Sequence, residues 1–162
     1  MSMVHLENLR VRYGKIEAVR GISIDIPRGA VFGFIGPNGA GKSTTIKVLA
    51  TLLEKFEGTA QVDGIHVAAD PRAVRDCIGY MPDFFGVYDD LTVREYLLFF
   101  AAAYRLSMAK RGSVITDVLE LTELTHKTDS PVDALSRGMK QRLALARVLL
   151  HDQQFPADEK CG

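Results

Sequence analysis

The chain opens on a β pattern. Val4, Leu6, Leu9, Val11 and Tyr13 keep a loose alternation, and Ile22, Ile24 and Ile26 alternate strictly with Ser23 and Asp25. A period of two puts the apolar set on one face of a sheet. Pro27-Arg28-Gly29 reads as a turn. Ala30 to Ile35 is then a continuous apolar run, the mark of a strand buried on both faces. From Ser43 to Leu53 the period becomes helical, with Ile46, Leu49, Ala50 and Leu53 on one face. Gly58 to Val67 reads as a short strand pair turned at Asp63-Gly64.

The pattern beyond is helical. Thr92 and Glu95 have capping-box spacing, in which each side chain satisfies a backbone donor at a helix start, and the apolar segment Tyr96 to Ala103 follows. A second helix is expected from Ser113 to Leu124, with Val114, Ile115, Val118, Leu119 and Leu121 as its buried stripe. Pro131 breaks the region, and Leu135-Ser136 opens a last helix through Leu150. There are no repeats, low-complexity tracts or long linkers. The expectation is an α/β core, interrupted by a helical subdomain between roughly Leu91 and Leu135.

Composition narrows the function classes. The 162 residues carry 20 Lys+Arg and 20 Asp+Glu, so net charge does not mark a nucleic-acid or membrane-surface binder. Cys77 and Cys161 lie far apart, without metal-ligand spacing. The start lacks the basic-then-apolar layout of a signal peptide. The longest apolar stretch, Tyr96 to Tyr104, falls short of the roughly 20 residues a bilayer span needs. A soluble, cytoplasmic chain is expected, with any membrane span supplied by another polypeptide.

Between the apolar run and the first helix stands Gly36-Pro37-Asn38-Gly39-Ala40-Gly41-Lys42-Ser43, a full match to the P-loop (Walker A) pattern. The glycines let the backbone curl so that successive N–H groups point at phosphates, and the helix start adds its positive dipole end. Lys42 is expected on the β- and γ-phosphates, Ser43 on magnesium through its hydroxyl, and Thr44 beside it at the helix start. The bland reading is a glycine-rich strand-to-helix turn that happens to contain lysine. A strand pattern before the motif and a helix pattern after it favour phosphate binding, with ATP and Mg2+ as the expected ligands.

Leu135-Ser136-Arg137-Gly138-Met139-Lys140-Gln141-Arg142 is the second motif, and here the sequence resembles the ATP-binding cassette (ABC) ATPases, whose signature is Leu-Ser-Gly-Gly-Gln or a near variant. The resemblance runs from about Val4 to Asp152. It implies a P-loop NTPase core with an N-terminal antiparallel β subdomain and an inserted helical subdomain, 1–91 and 136–162 forming the core and 92–135 the insertion. Ser136 and the N–H of Gly138 would offer donors to the γ-phosphate of an ATP held by a second cassette, so that two cassettes close head to tail; the alternative is an ordinary serine N-cap. Tyr13 matches the aromatic that stacks on adenine, or is a core tyrosine on a β face. Ile78 to Asp83 matches the Q-loop region, where Asp83 stands for the usual Gln or Glu and would hold magnesium through water; otherwise it is a turn aspartate.

Phe84 to Thr92 and the Ser136-Arg137-Gly138-Met139 variant resemble the multidrug-exporter branch, whose cassettes work with separate membrane permease subunits. The resemblance therefore implies an ATPase subunit of an exporter, peripheral on the inner face of the cell membrane. Two alternatives stand beside it: a nucleotide-binding fragment without turnover, and a soluble non-transport member of the family. The pattern fails at the end. The family needs an apolar strand closing on Asp-Glu, whereas here Gln153, Gln154 and Pro156 precede Asp158-Glu159. Glu159 is either the catalytic carboxylate or part of a solvated tail, and the expectation is a chain cut short or altered before the hydrolytic strand.

Overall fold

Residues 2–82 and 90–152 are described by the computed structural model. The alternating N-terminal pattern becomes a long antiparallel hairpin, β1 (Ser2–Tyr13) and β2 (Ile16–Pro27), closed at Gly14. β3 (Glu57–Val62) pairs with the other edge of β1, and β4 (Ile65–His66) adds to β3 through the turn at Asp63-Gly64. The sheet order is therefore β2-β1-β3-β4. The looseness of the alternation has a cause: the β1 register shifts between Leu6 and Leu9, where Asn8 adopts a left-handed backbone with φ 54. That bulge lets Leu6, Leu9 and Val11 all face inward despite their uneven spacing.

The inner face of the sheet packs on α1 (Lys42–Leu49) and α2 (Pro71–Cys77), burying Leu6, Leu9, Val11, Val48, Val62 and Val74. The sheet, α1 and α2 lie in one compact unit, which ends at Ile78. The helices that follow make a second unit, described here by itself. α3 (Val93–Ala103), α4 (Met108–Leu121) and α5 (Arg137–Asp152) close on Tyr96, Leu97, Ile115, Leu119, Leu143 and Leu150. α3 carries the expected capping box: Thr92 N–H donates to Glu95 at 2.8 Å, and Glu95 N–H donates back to the Thr92 hydroxyl at 3.3 Å.

Three expectations are corrected. Residues 30–35 form no strand, and Val31 and Ile35 are almost wholly exposed. A strand needs a neighbour to take up its N–H and C=O groups, and none of the four described strands lies beside this segment. On α1 the buried residues are Thr45 and Val48, while Ile46 is exposed. A polar residue can face inward there because the Thr45 hydroxyl donates to Gly41 C=O at 3.0 Å. α4 starts earlier than expected, and Leu121 is exposed. Its stripe is Ile115, Val118 and Leu119, continued by buried Thr122, and Leu121 falls outside that stripe.

Candidate phosphate-binding site

Gly36 to Ser43 passes into α1 through two left-handed residues, Gly39 at φ 83 and Gly41 at φ 84. Only glycine takes such backbone without strain. Gly41 has a second reason to be glycine. A Cβ there would run into the Ala18 carbonyl and stand 2.9 Å from Val19 Cγ2. The loop is thus pressed against β2, and that contact sets where the start of α1 points. The sequence reading did not single out Ala18, and the contact is made by its backbone carbonyl, which no side-chain pattern signals.

The first hydrogen bond of α1 runs from Thr45 N–H to Gly41 C=O at 2.8 Å. The amides of Lys42, Ser43 and Thr44 therefore sit at a helix start without intrahelical acceptors, and no side chain caps them. Such amides, with the dipole behind them, attract anions. The Lys42 ammonium curls back over the loop, donating to the carbonyls of Gly36 and, at 2.6 Å, Pro37. Ala40 N–H closes a turn on Pro37 C=O at 3.2 Å, which fixes Asn38 and Gly39 at the tip. The Ser43 hydroxyl is on the exposed side of the helix start, and Thr44 is half-buried.

Between the loop and β2 lies a hollow of about 400 Å³, lined by Glu17, Ala18, Arg20, Ile22 and Pro37 to Ala40. Tyr13, at the hairpin end, pairs in register with Ile16 and is half exposed. The core-tyrosine reading of Tyr13 is therefore excluded, and its ring is open to a planar partner. Glu17 is bracketed by Arg10 and Arg12, each 3.6 Å from its Oε1.

The signature segment sits in the helical unit. An isolated antiparallel bridge joins Thr92 to Pro131, and Val132 N–H donates to Leu91 C=O at 2.9 Å. These bonds, with buried Leu135, anchor the approach to α5. Ser136 then caps that helix, its Oγ accepting from Met139 N–H at 3.3 Å. The cap role and a phosphate role are compatible, because an accepting hydroxyl still has its own hydrogen to donate. Gly138 is exposed, and a Cβ there would touch nothing within 4 Å. Neither its backbone nor its packing among the described residues requires glycine.

Asp83, Phe84 to Asp89, Asp158 and Glu159 lie outside the described residues. Among the described residues no cluster of His, Cys, Asp and Glu could hold a metal, and no helix is long and apolar enough to cross a membrane.

The family model described as ABC transporter matches residues 19–159. Nod factor export ATP-binding protein I of Burkholderia orbicola (strain AU 1054) is 38% identical over 152 residues, covering 94% of this chain and 50% of that protein. Linearmycin resistance ATP-binding protein LnrL of Bacillus subtilis (strain 168) is 34% identical over 153 residues, covering 94% and 49%. This chain thus spans about half the length of the curated relatives it matches. Among solved structures, an ATP-binding subunit of an ABC transporter superposes with a TM-score of 0.80 at 30% identity, covering 93% of this chain and 63% of that one. The cbiO1 protein of Clostridium perfringens, part of the cbiONQ transporter complex, gives 0.78 at 26% identity, covering 93% and 62%.

Proposed function

Because the chain belongs to the ABC transporter family, we propose that it is an ATP-binding subunit of an exporter, holding MgATP on the loop from Gly36 to Ser43. The carrying observation is the docking of Gly41 on Ala18, after which α1 begins with the amides of Lys42, Ser43 and Thr44 uncapped by any side chain. Those amides and Gly39 cradle the phosphates, Lys42 exchanges its loop carbonyls for phosphate oxygens, and Ser43 ligates magnesium. Tyr13 stacks on the base. Ser136 and Gly138 close over the γ-phosphate of an ATP held by a second cassette, and Asp83 holds magnesium through water. Bound ATP supplies the phosphoryl group whose transfer to water drives the transport cycle in this family.

The export assignment draws on the two relatives named for Nod factor export and linearmycin resistance. It places the chain on the cytoplasmic face of the membrane, beside separate permease subunits and a second cassette.

Calorimetric titration with MgATP tests the reading. Lys42→Ala is expected to weaken binding about a hundredfold, the value of a charge-assisted contact to phosphate. Equal binding by the wild type and Lys42→Ala would remove the P-loop assignment. Steady-state hydrolysis then separates two classes. Turnover abolished by Glu159→Gln assigns that carboxylate to catalysis, whereas binding without turnover makes the chain a nucleotide-binding module.

A further inference from the structure

We infer that the start of α3 sets the position of Ser136, with the Val93 N–H and Pro131 as positioning groups for the phosphate contact proposed for that serine. The inference rests on the reading of Ser136 given above, and every residue in it belongs to the helical unit. The first N–H groups of a helix find no acceptor within it. In α3 a distant loop takes them up: Val93 donates to Ser130 C=O and Arg94 to Thr128 C=O, each at 3.0 Å. In the other direction Val132 N–H donates to Leu91 C=O at 2.9 Å, so that Thr92 and Pro131 face each other as an antiparallel pair. The hydrogen bonds of this pair lie on the residues to either side of it. Pro131, which has no N–H, therefore loses nothing there and stiffens the loop.

The loop has little slack between this pairing and the signature. Before it, Thr128 is buried and its hydroxyl donates to Thr125 C=O at 2.6 Å, while Ser130 N–H donates to Lys127 C=O at 2.9 Å. After it, Val132 and Leu135 are buried, Leu135 N–H donates to Val132 C=O at 3.3 Å, and Ser136 comes next. The plainer alternative is that α5 holds its own start by packing. Its fully buried side chains begin only at Leu143, however; Met139 and Lys140 are half-buried, and Arg137, Gly138, Gln141 and Arg142 are exposed. The ion pair from Arg142 to Glu123 is exposed at both ends and adds little. The start of α5 is therefore held from the α3 side, through the loop.

The test compares the wild type with Val93→Pro, Val93→Ala, Pro131→Gly and Ser136→Ala. It reads ATP-dependent pairing of two chains by sedimentation, MgATP affinity of the single chain by calorimetry, and amide exchange at residues 136–139. Proline suits the first position of a helix, and Thr92 already has the extended backbone (ψ 161) that precedes proline. Val93→Pro thus deletes the N–H that reaches Ser130 and leaves α3 in place. Val93→Ala removes more of the buried side chain but keeps that N–H. Pro131→Gly, at an exposed position, frees the loop without touching the core. Val93→Pro and Pro131→Gly are each expected to weaken pairing by about tenfold, the scale of one hydrogen bond, and to speed exchange at 136–139. Their MgATP affinity stays that of the wild type. Val93→Ala melts lower yet pairs like the wild type, and adding Val93→Pro to Ser136→Ala causes no further loss. The inference is overturned if Val93→Pro and Pro131→Gly pair no differently from Val93→Ala, or if Val93→Pro costs as much pairing in the Ser136→Ala background as alone. Should Val93→Pro fail to fold, Pro131→Gly decides. A wild type that pairs no better than Ser136→Ala removes the phosphate reading of Ser136 itself, and this inference with it.

Discussion

Gly41 and Gly138 share a motif logic but differ in what holds them. Gly41 has φ 84 and faces the Ala18 carbonyl at less than contact distance for a Cβ, so both backbone and packing resist a side chain. Gly41→Ala is expected to cost at least about 2 kcal/mol, from left-handed strain plus displacement of the loop from β2, measured by urea unfolding. Gly138 meets no such resistance. Gly138→Ala is expected to leave stability unchanged or raise it by up to about 1 kcal/mol, since alanine suits a helix better. The same variant should lose ATP-dependent pairing of two chains, read by sedimentation. If pairing survives, nothing outside the chain approaches Gly138. The motif letters were legible in both cases, but the reason for each glycine was not, because the crowding atom of Gly41 belongs to β2.

At the scale of elements, local chemistry was the most legible. The α3 start was written in Thr92 and Glu95, two residues that need only each other. The backbone N–H of Thr92, then its hydroxyl, hold the Glu95 carboxyl below its ordinary pKa. A carboxyl lowered in the folded state contributes stability that is present above its ordinary pKa and lost as pH falls through the lowered value. Melting curves of the wild type and Glu95→Gln should therefore differ near neutral pH and converge in acid, once the pH has fallen through the lowered value. A difference that persists in acid would show that charge is not what Glu95 adds. Thr92→Ala removes the cap itself and is expected to cost about 1 kcal/mol. The stripes of α1 and α4 were read less well. Thr45 and Thr122 are polar letters at buried positions, and each hydroxyl is satisfied by a carbonyl one turn back, at 3.0 Å and 2.7 Å.

For the whole molecule, the segment 30–35 is the feature that shapes behaviour in solution. Val31 and Ile35 are almost wholly exposed and Phe32 is half exposed, in a stretch that forms no strand. An exposed apolar stretch of this kind offers itself to other chains. The isolated chain is expected to associate as its concentration rises, and Val31→Lys combined with Ile35→Lys should reduce that association in sedimentation velocity. A wild type that stays monomeric across the concentration range would end the idea. Balanced charge, 20 against 20, adds no net repulsion to oppose such contacts.

The amino-acid order by itself determined the P-loop, the hairpin, the turn at Asp63-Gly64, the capping box and the helix opened by Ser136. Each depends on residues close in sequence, so short-range sterics and hydrogen bonding are enough to specify it. Tertiary structure alone decided the rest. The neighbours of 30–35, the inward face of α1, the bulge that reconciles Leu6 with Leu9, and the pressing of Gly41 onto Ala18 all depend on which distant segment lies alongside.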